Sequence, residues 1–416
     1  MNVVELAKAL IACPSVTPTT AGVFDVIEHY LVPLGFVATR QTFEEAGTAP
    51  VENLYLRYGT SGKNFCFAGH TDVVPVGDEA AWHVPPFKPE VVDGELIGRG
   101  AEDMKGAIAA FMVAARHFLH SPPEGESTRF FNAAVGGEVA QSSPHGFAKG
   151  ESRSPSRGEL KNGSISLLIT QDEEGVAING TRKMLEFLKA RGEKIDVCIV
   201  GEPTNPNVLG EMAKIGRRGS ISYTLTVMGK QGHVAYPQLA DNPVTRIAAM
   251  CAALKAEALD AGNDVFLPSN LEVTTIDVGN PTVNMIPAKA TAQFNVRFNN
   301  LHTSADVTAW VNARLAPFGT YELTHRLTGE SFVTRDDALA NIVVEAVKDV
   351  TGMTPALSTI GGTSDARFIK DYCPVIEFGT TGRTSHMVNE RVEVKTLEGL
   401  TKIYRRMLER FFEPRA

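Results

Sequence analysis

The sequence predicts an α/β protein in which a mostly parallel sheet covered by helices is interrupted by an inserted ferredoxin-like α+β domain. Two patterns carry this prediction. In the first half of the chain, short apolar runs alternate with amphipathic helical patterns, which is typical of parallel strands buried on both faces. From about residue 219 to 330 the order changes to strand, helix, strand, strand, helix, strand, which is the ferredoxin-like order.

The elements of the first half follow from the spacing of apolar residues. Each predicted strand is a short apolar run that ends in polar residues, and each predicted helix repeats apolar residues at helical spacing. The strands are expected at 64–69, 164–170 and 195–200, and the helices at 2–12, 22–33, 104–120 and 181–190. We expect the strands to lie side by side in one sheet.

The second half contains the inserted segment and then a return to the first pattern. The inserted strands are expected at 220–227, 271–278, 290–298 and 321–327, and the inserted helices at 242–259 and 304–316. Helices then follow at about 337–350, after 365 and at about 395–411, with a strand at 374–379. We therefore expect a discontinuous catalytic domain at 1–218 and 329–416, with a second domain inserted at 219–328.

Length and composition limit the class of protein. A chain of 416 residues exceeds what one hydrophobic core usually supports, which agrees with two domains. The net charge of −8 argues against binding to nucleic acid through phosphate contacts. No run approaches the roughly 20 apolar residues of a membrane helix, and the N-terminus does not resemble a signal peptide. The five scattered cysteines, without a C-x-x-C motif, predict free thiols and a cytoplasmic protein.

One segment does not fit the pattern of a compact domain. Residues 121–163 are rich in Ser, Pro, Gly and charged residues. Loops of this length without secondary structure are uncommon inside compact domains. The composition predicts a mostly disordered surface insertion, and a functional lid is the alternative.

Five potential metal ligands lie just after predicted strands or where a loop meets a helix. The carboxyl ends of parallel strands meet at one edge of a sheet, so residues far apart in sequence can converge there. Two imidazoles and three carboxylates suit Zn²⁺ better than Mg²⁺ or Ca²⁺. A pair of metal ions needs one shared carboxylate and about four further ligands. The five residues are His70, Asp103, Glu174, Glu202 and His386.

The residue pattern does not decide which carboxylate the two metal ions would share. Asp103 lies in a glycine-rich segment just before a predicted helix, where an acidic residue is also a common N-cap. Three nearby glycines indicate unusual demands on the backbone. Glu102 is the neighbouring competitor, and spacing does not exclude it.

Further acidic residues accompany the candidate ligands. Asp72 stands two residues after His70, a spacing that suits a carboxylate accepting the other ring N–H. Glu173 and Glu174 follow a buried strand, and two adjacent carboxylates are costly unless a cation or a proton separates their roles. One can bind metal while the other acts as general base. Two solvated loop acids are the alternative.

Four motifs resemble the co-catalytic zinc peptidase family that includes aminoacylases and carboxypeptidase G. They are His-Thr-Asp-Val-Val-Pro at 70–75, Gly-Arg-Gly-Ala-Glu-Asp-Met-Lys-Gly at 98–106, Asp-Glu-Glu-Gly at 172–175 and Gly-Glu-Pro-Thr at 201–204. The resemblance runs in order over nearly the whole chain, apart from the insertion, and implies a zinc-exopeptidase-like catalytic domain. Motifs at 217–220, 229–237, 284–287, 361–368 and 386–390 resemble one branch of that family.

The resemblance implies a ligand set for two metal ions. Asp103 would bridge the two ions. His70 and Glu202 would complete one site, and Glu174 and His386 would complete the other. The implied cofactor is two Zn²⁺ per subunit, with Co²⁺ possible in one or both sites.

The resemblance also implies catalytic and substrate-binding roles. Glu173 would be the general acid and base, and Asp72 would orient His70. The inserted domain would serve as a dimerisation and lid domain through which a homodimer forms, and His233 on it would reach across the dimer to polarise the substrate carbonyl. The positions that match substrate contacts are Arg217, Ser220, Tyr236, Asn284, Arg297, Gly362 and Thr363.

The implied reaction is hydrolysis of N-succinyl-LL-2,6-diaminopimelate to succinate and LL-2,6-diaminopimelate, a step of bacterial lysine biosynthesis. Arg217 and Arg297 could each bind a substrate carboxylate through two hydrogen bonds. Residues 379–385, which precede His386, and the residue Val283 differ from the residues that are common at these positions in this branch. The alternatives are a sibling such as acetylornithine deacetylase or a carboxypeptidase, and an inactive scaffold on the same fold.

Overall fold

The computed structural model describes residues 1–120, 160 and 163–412. The insertion predicted at 121–163 therefore lies outside the described residues, apart from Leu160 and Gly163. The chain divides into two compact units, which are described separately. The first unit comprises Met1–Glu211, Asn341–Pro355 and Phe378–Ala416, and the second comprises Met212–Ala340 and Ala356–Glu377.

Helices and strands alternate through most of the described chain. The helices are α1 (Val3–Ile11), α2 (Val23–Leu31), α3 (Lys105–His120), α4 (Thr181–Ala190), α5 (Pro243–Lys255), α6 (Ser304–Leu315), α7 (Asp337–Thr351), α8 (Ala366–Ile369) and α9 (Val394–Phe412). Short 3₁₀ turns lie at Val32–Leu34, Glu79–Ala81, Pro237–Leu239 and Ala316–Phe318.

The structure contains more strands than the residue pattern predicts. They are β1 (Val37–Phe43), β2 (Val51–Tyr58), β3 (Lys63–His70), β4 (Glu90–Val92), β5 (Glu95–Ile97), β6 (Gly163–Thr170), β7 (Val197–Val200), β8 (Met212–Lys214), β9 (Gly216–Arg217), β10 (Gly219–Met228), β11 (Gly232–His233), β12 (Asn270–Asp277), β13 (Met285–Ile286), β14 (Lys289–Phe298), β15 (Glu322–Gly329), β16 (Phe332–Val333), β17 (Ala356–Ser358), β18 (Val375–Glu377) and β19 (Arg391–Glu393). Every strand predicted in the first half and in the inserted segment is present.

The sheet of the first unit has the order β1-β2-β6-β3-β7. Strand β3 pairs in parallel with β6 and with β7, which confirms the predicted parallel arrangement. Strands β1 and β2, which were not predicted, extend the sheet in antiparallel register. Strands β3 and β6 are buried along nearly their whole length, as expected of strands covered on both faces.

Helix α3 is the centre of the first unit's core. Its residues from Lys105 to Ala115 are all buried, and small side chains let it pack closely against α1 and α9. The Phe111 ring stacks on Phe67 of β3 with 4.4 Å between centroids. The Tyr404 ring of α9 lies 5.7 Å from Phe111, and its hydroxyl donates to the Phe378 carbonyl at 2.7 Å. This packing fixes the start of α3 relative to the end of β3.

The second unit contains the predicted ferredoxin-like domain. Its antiparallel sheet has the order β12-β14-β10-β15, which is the order expected from the sequence of elements. Helices α5 and α6 pack on the sheet around a core that includes Tyr223, Phe294 and Phe298. The unit is longer than the range predicted at 219–328, because β8 pairs with β17 and β18 within it. The predicted boundaries stay a prediction. Among the described residues, no helix is long and apolar enough to cross a bilayer.

Truncation of Phe111 to Ala should lower the free energy of unfolding of the first unit by about 3–5 kcal/mol, because a fully buried ring is lost and a cavity remains. Urea unfolding followed by circular dichroism measures this change. The matched control is Val37→Ala on β1, where the side chain is 71% exposed and the change should stay within about 0.5 kcal/mol. Equal effects of the two substitutions would contradict the position assigned to Phe111.

Candidate metal centre

Three of the five predicted ligands are delivered by neighbouring parallel strands. His70 is the last residue of β3, while Glu174 and Glu202 lie in the loops that follow β6 and β7. Since the strand order is β6-β3-β7, His70 stands between the two carboxylates. The residue before His70 is Gly69, and its lack of a side chain lets Met104 pack against the end of β3. A Cβ on Gly69 would lie 2.5 Å from the Cε of Met104.

The other two ligands come from loops of the same unit. Asp103 lies just before α3, and His386 lies in the segment that precedes β19. The backbone of His386 is in the left-handed region, with φ of 65°, which is uncommon for a residue other than glycine. Such strain persists when surrounding contacts hold it, and it is concentrated at functional sites.

The five side chains form two triads that share Asp103. One triad is His70, Asp103 and Glu202, and the other is Asp103, Glu174 and His386. In each triad the three ligand atoms lie within 4.8 Å of one another, so one cation could contact all three. The donor set of imidazole nitrogens and carboxylate oxygens fits Zn²⁺ and related divalent ions.

The two oxygens of Asp103 face different histidines. His70 Nε2 lies 3.2 Å from Oδ1 of Asp103, and His386 Nε2 lies 3.4 Å from Oδ2. His70 Nε2 also lies 3.9 Å from Glu202 Oε1, and His386 Nε2 lies 2.8 Å from Glu174 Oε1. A carboxylate placed between two imidazoles in this way can bridge two ions.

The concentrated negative charge changes the pKa of each central group. Burial would lower the pKa of His70, but the hydrogen bond to Asp103 and the nearby carboxylates raise it well above its ordinary value. Hydrogen bonds to Asp103 and Glu174 raise the pKa of His386 to about 10. Burial would raise the pKa of Asp103, but its contacts with the two histidines lower it. The site therefore favours positive charge, which a metal ion supplies in place of protons.

The orientation of His70 differs in detail from the prediction. Its Nδ1 lies 2.9 Å from the backbone carbonyl oxygen of Asp72 and 3.6 Å from the carboxylate of that residue. The Nδ1–H therefore donates to the carbonyl, which leaves Nε2 free to ligate a metal. The Asp72 carboxylate accepts hydrogen bonds from the backbone N–H groups of Glu173 and Glu174, at 3.4 and 3.0 Å. Burial raises its pKa to about 6.

Glu102 is not a competitor for the shared position. Its buried carboxylate accepts hydrogen bonds from Thr381 Oγ1, at 2.6 Å, and from Thr384 Oγ1, at 2.7 Å. The backbone N–H groups of Arg383 and Thr384, in the segment 381–384 that precedes His386, also donate to this carboxylate. The carboxylate therefore turns toward this segment and belongs to neither triad, whereas Asp103 belongs to both.

Glu173 is placed where a base could act on a water molecule between the triads. One of its carboxylate oxygens lies within 4.8 Å of the ligand atoms of His70 and Glu174. Its side chain is partly exposed. The geometry agrees with the predicted division of labour, in which Glu174 binds metal and Glu173 moves protons, but the role itself stays a prediction.

The predicted residues of the second unit fall into groups, and the first surrounds His233. This residue is exposed on β11, next to Tyr236, with 5.8 Å between ring centroids. Its Nδ1 accepts a hydrogen bond from the backbone N–H of Ala235 at 3.0 Å. In the neutral ring the proton then resides on Nε2. Asn284 is also exposed, and its carbonyl accepts from the Val234 N–H at 3.2 Å.

Arg217 has a carboxylate partner of its own. Its Nε lies 2.8 Å from Oε1 of the buried Glu377, and its NH1 donates to the Gly362 carbonyl at 2.9 Å. The guanidinium thus anchors the segment that contains Gly362 and Thr363. Direct contact of these three residues with substrate stays a prediction.

Ser220 and Arg297 face each other on β10 and β14. Ser220 is buried and accepts a hydrogen bond from Asn295 at 3.2 Å. Burial and the charge of Arg218 lower the pKa of Arg297. Within the described parts of the chain, no carboxylate forms an ion pair with Arg297. This cation is therefore the better placed of the two predicted arginines to take an external anion.

The residue patterns predict no role for Arg99 and Glu390. Both are buried, and Arg99 NH1 lies 2.7 Å from Glu390 Oε2. Burial raises the pKa of Glu390 to about 7. Arg99 lies in the motif at 98–106 and Glu390 lies in the motif at 386–390. Membership of these motifs was the sequence signal that could have identified the two residues.

The chain is similar to known proteins over most of its length. A model of the peptidase family M20/M25/M40 matches residues 66–134 and 152–410. A protein of Rhodospirillum centenum named succinyl-diaminopimelate desuccinylase is 51% identical, with 99% of this chain and 98% of the relative aligned. A protein of the same name from Rhodospirillum rubrum is 49% identical, with 98% of each chain aligned.

Solved structures share the fold at low sequence identity. An M20 family metallo-carboxypeptidase from Sulfolobus solfataricus superposes with a TM-score of 0.71 at 16% identity, over 98% of this chain and 99% of that one. A dinuclear metal-binding peptidase of the same family from Bacillus subtilis gives 0.65 at 12% identity, over 99% and 98% of the chains. These similarities confirm the predicted fold class.

Proposed function

This chain belongs to the peptidase family M20/M25/M40, and we propose that it hydrolyses N-succinyl-LL-2,6-diaminopimelate to succinate and LL-2,6-diaminopimelate. The chain is a metal-dependent hydrolase. The observation that carries the substrate is the identity of 51% over nearly the full length with a relative named for this activity. The reaction provides diaminopimelate for lysine biosynthesis.

We propose that the two triads hold two Zn²⁺ ions per subunit, with Co²⁺ as a possible occupant of one or both positions. His70 and Glu202 would complete one position and Glu174 and His386 the other, with Asp103 shared. Bound ions of this kind lower the pKa of a water molecule and polarise an amide carbonyl.

The side chain of Glu173 would move the proton. It would take a proton from water, so that the oxygen attacks the amide carbonyl carbon. It would then return that proton to the leaving amine as the C–N bond breaks, which leaves succinate and a free amino group. Asp72 supports this role, because its carboxylate holds the backbone at Glu173 and Glu174 in place.

His233 would stabilise the negative charge that develops on the carbonyl oxygen. Its Nδ1 accepts from Ala235, so the neutral ring presents an Nε2–H that can donate to an oxyanion. We propose that this donor comes from the partner subunit of a homodimer. Exposed apolar side chains near it, namely Val234, Tyr236 and Leu239, agree with a subunit interface in the second unit.

The substrate carries carboxylates that an acidic protein must bind with local cations. Arg297 and its neighbour Arg218 provide two adjacent guanidinium groups, and their mutual repulsion is relieved when an anion binds. A succinyl group presents such an anion and an acetyl group does not. The proposed preference for the succinyl substrate rests on this difference. The five free cysteines agree with a reducing compartment, and we propose the cytoplasm.

The shared ligand should control both metal positions. The wild-type protein is expected to retain about two equivalents of zinc after dialysis. Glu202→Gln and Glu174→Gln should each retain about one, and Asp103→Asn less than one, because Asp103 contributes to both triads. Elemental analysis of the dialysed proteins measures this. The control is Glu5→Gln in the exposed first turn of α1, which should match wild type. Equal metal content in Asp103→Asn and wild type would rule out the shared ligand.

The proposed substrate should be hydrolysed only by metal-loaded protein. Steady-state rates with N-succinyl-LL-2,6-diaminopimelate and with N-acetylornithine are measured before and after a chelator removes the metal. Turnover of the succinyl compound that disappears with the chelator and returns with zinc is expected. Preference for acetylornithine would move the assignment to a sibling deacetylase. No turnover of either compound with zinc bound would favour the scaffold alternative.

Replacement of Glu173 by Gln should lower kcat by roughly 10²–10⁴-fold, because the amide cannot accept the proton. Metal content should stay near wild type, since Glu174 and His70 keep their contacts with the other ligands. Rate and metal content are measured on the same preparation, with Glu5→Gln as the control. Near-normal kcat in Glu173→Gln would show that another group is the base.

A further inference from the structure

Two buried carboxylates beside the metal centre offer no oxygen to either triad. Glu102 and Glu390 are each 1% exposed, and ionised groups are rarely buried without partners. Glu102 precedes the shared ligand Asp103, and Glu390 follows His386 by four residues. Each carboxylate therefore stands in the segment of one ligand of the second triad, and each is hydrogen-bonded to the segment of the other ligand.

The Glu102 carboxylate is bound by the segment that leads to His386. Oε1 accepts from Thr381 Oγ1 at 2.6 Å and from the Arg383 N–H at 3.1 Å. Oε2 accepts from the backbone N–H and the hydroxyl of Thr384, the latter at 2.7 Å. The Glu102 carbonyl also accepts from Thr380 Oγ1 at 2.7 Å.

The Glu390 carboxylate is bound by the segment that contains Asp103. Oε1 accepts from the N–H groups of Glu102 and Asp103, both at 3.0 Å. Oε2 accepts from the Gly100 N–H at 3.1 Å and from Arg99 NH1 at 2.7 Å. The backbone of the shared metal ligand is thus held directly by a residue from the His386 segment.

Arg99 completes the connection. Its guanidinium donates to Glu390 and also reaches backbone carbonyls of the His386 segment, those of Met387 at 3.2 Å and of His386 itself at 3.4 Å. A further hydrogen bond goes to the Pro75 carbonyl at 3.2 Å. Because a guanidinium presents several donors in one plane, a single side chain can hold all of these groups.

We propose that Glu102, Glu390 and Arg99 form a reciprocal clamp that fixes the distance between Asp103 and His386 and so sets the metal affinity of the second triad. This inference rests on the proposed metal-dependent function. The clamp residues are positioning residues that act through Asp103 and His386. The His386 side chain is 51% exposed and its backbone is left-handed, so neighbouring packing alone does not hold this ligand.

The first triad depends less on the clamp. His70 is the last residue of a buried strand, and Glu202 follows the adjacent strand β7. Sheet hydrogen bonds hold His70, and Glu202 directly follows Gly201, whose N–H donates to the Ala68 carbonyl of β3 at 3.0 Å. Loss of the clamp should therefore weaken the position formed by Asp103, Glu174 and His386 far more than the position formed by His70, Asp103 and Glu202.

Substitution by Gln tests the clamp with little change of shape. In Glu102, one oxygen faces the Arg383 N–H and the other faces the Thr384 N–H. Neither backbone group can reverse its role, so a Gln amide must place its NH₂ against a donor whichever way it turns. The same holds in Glu390, whose oxygens face the N–H groups of Asp103 and Gly100.

The experiment measures the two stepwise zinc dissociation constants of metal-free protein by competition with a chelator of known affinity. Glu174→Gln and Glu202→Gln show which step belongs to which triad. Glu102→Gln and Glu390→Gln should weaken the step lost in Glu174→Gln by roughly 10–100-fold. In Glu102→Gln, whose carboxylate holds the His386 segment, the other step should change by less than about threefold. In Glu390→Gln, which also loses a contact with the shared Asp103, the other step should weaken by a smaller factor than the step lost in Glu174→Gln. The control is Glu95→Gln, whose carboxylate pairs with Arg391 and is 37% exposed.

Thr381→Val provides a milder variant that removes one donor to Glu102 and leaves the charge in place. It should weaken the same step by a smaller factor, which keeps the test valid if a Gln variant fails to fold. Unchanged affinities, or equal loss at both steps, would overturn the clamp even if the melting temperature fell. Wild-type protein that binds no divalent ion would instead overturn the proposed function.

Discussion

The constraint on which the first unit depends is the position of the Asp103 carboxylate between two imidazoles. Each oxygen faces one histidine, and each histidine also faces a second carboxylate. Burial alone would make this arrangement unfavourable, since it removes charges from water. It is held because positive charge is drawn into the site, either as protons on His70 and His386 or as metal ions that replace them. Hydrogen bonds to the backbone around Asp103 and to the segment before His386 maintain the distances between the Asp103 carboxylate and the two imidazoles.

The sheet and the loops contribute to the site in different ways. Strand order alone places Glu174, His70 and Glu202 in sequence along one edge, because they end or follow β6, β3 and β7. Asp103 and His386 have no strand to hold them. Their positions depend on side chains that hydrogen-bond to backbone, namely Glu390 toward 100–103 and Glu102 toward 381–384. His70 lies within a strand and is held by the sheet itself, whereas Asp103 and the segment before His386 are held by these side-chain contacts.

Much of the fold followed from apolar spacing. Helix α4 has the predicted bounds, and the strands β3, β6 and β7 differ from prediction by at most two residues at either end. The helix predicted at 242–259 is shorter in the structure and ends at Lys255. Beyond it, the Asp260 carboxylate accepts from the Gly262 and Ser269 N–H groups in a loop. Strand β1 was missed because it is partly exposed along its whole length and so carries no apolar run.

The site residues were also predictable to different extents. The residue patterns predicted the five residues that form the two triads, but spacing left Asp103 and Glu102 equivalent. Only the fold shows that their side chains turn to different partners. Likewise, the interval between His70 and Asp72 predicted a partner for the imidazole but not that the backbone carbonyl would be that partner. Choices between an atom of a side chain and an atom of the backbone depend on local dihedrals that a residue pattern does not specify.

Chemistry and specificity are carried by different kinds of residue in this chain. The proposed ligands and Glu173 would act on an amide of any acyl group that reaches them, so they would not distinguish a desuccinylase from its siblings. Discrimination requires a group that one substrate satisfies and another leaves uncompensated. Arg217 is already neutralised by Glu377, and its role is to hold the segment at Gly362. Arg297, with Arg218 as its neighbour and a pKa lowered by burial, is the cation that we propose for the succinyl carboxylate, and an acetyl group would leave its charge unpaired. On this proposal, selectivity would depend more on Arg297 than on any metal ligand.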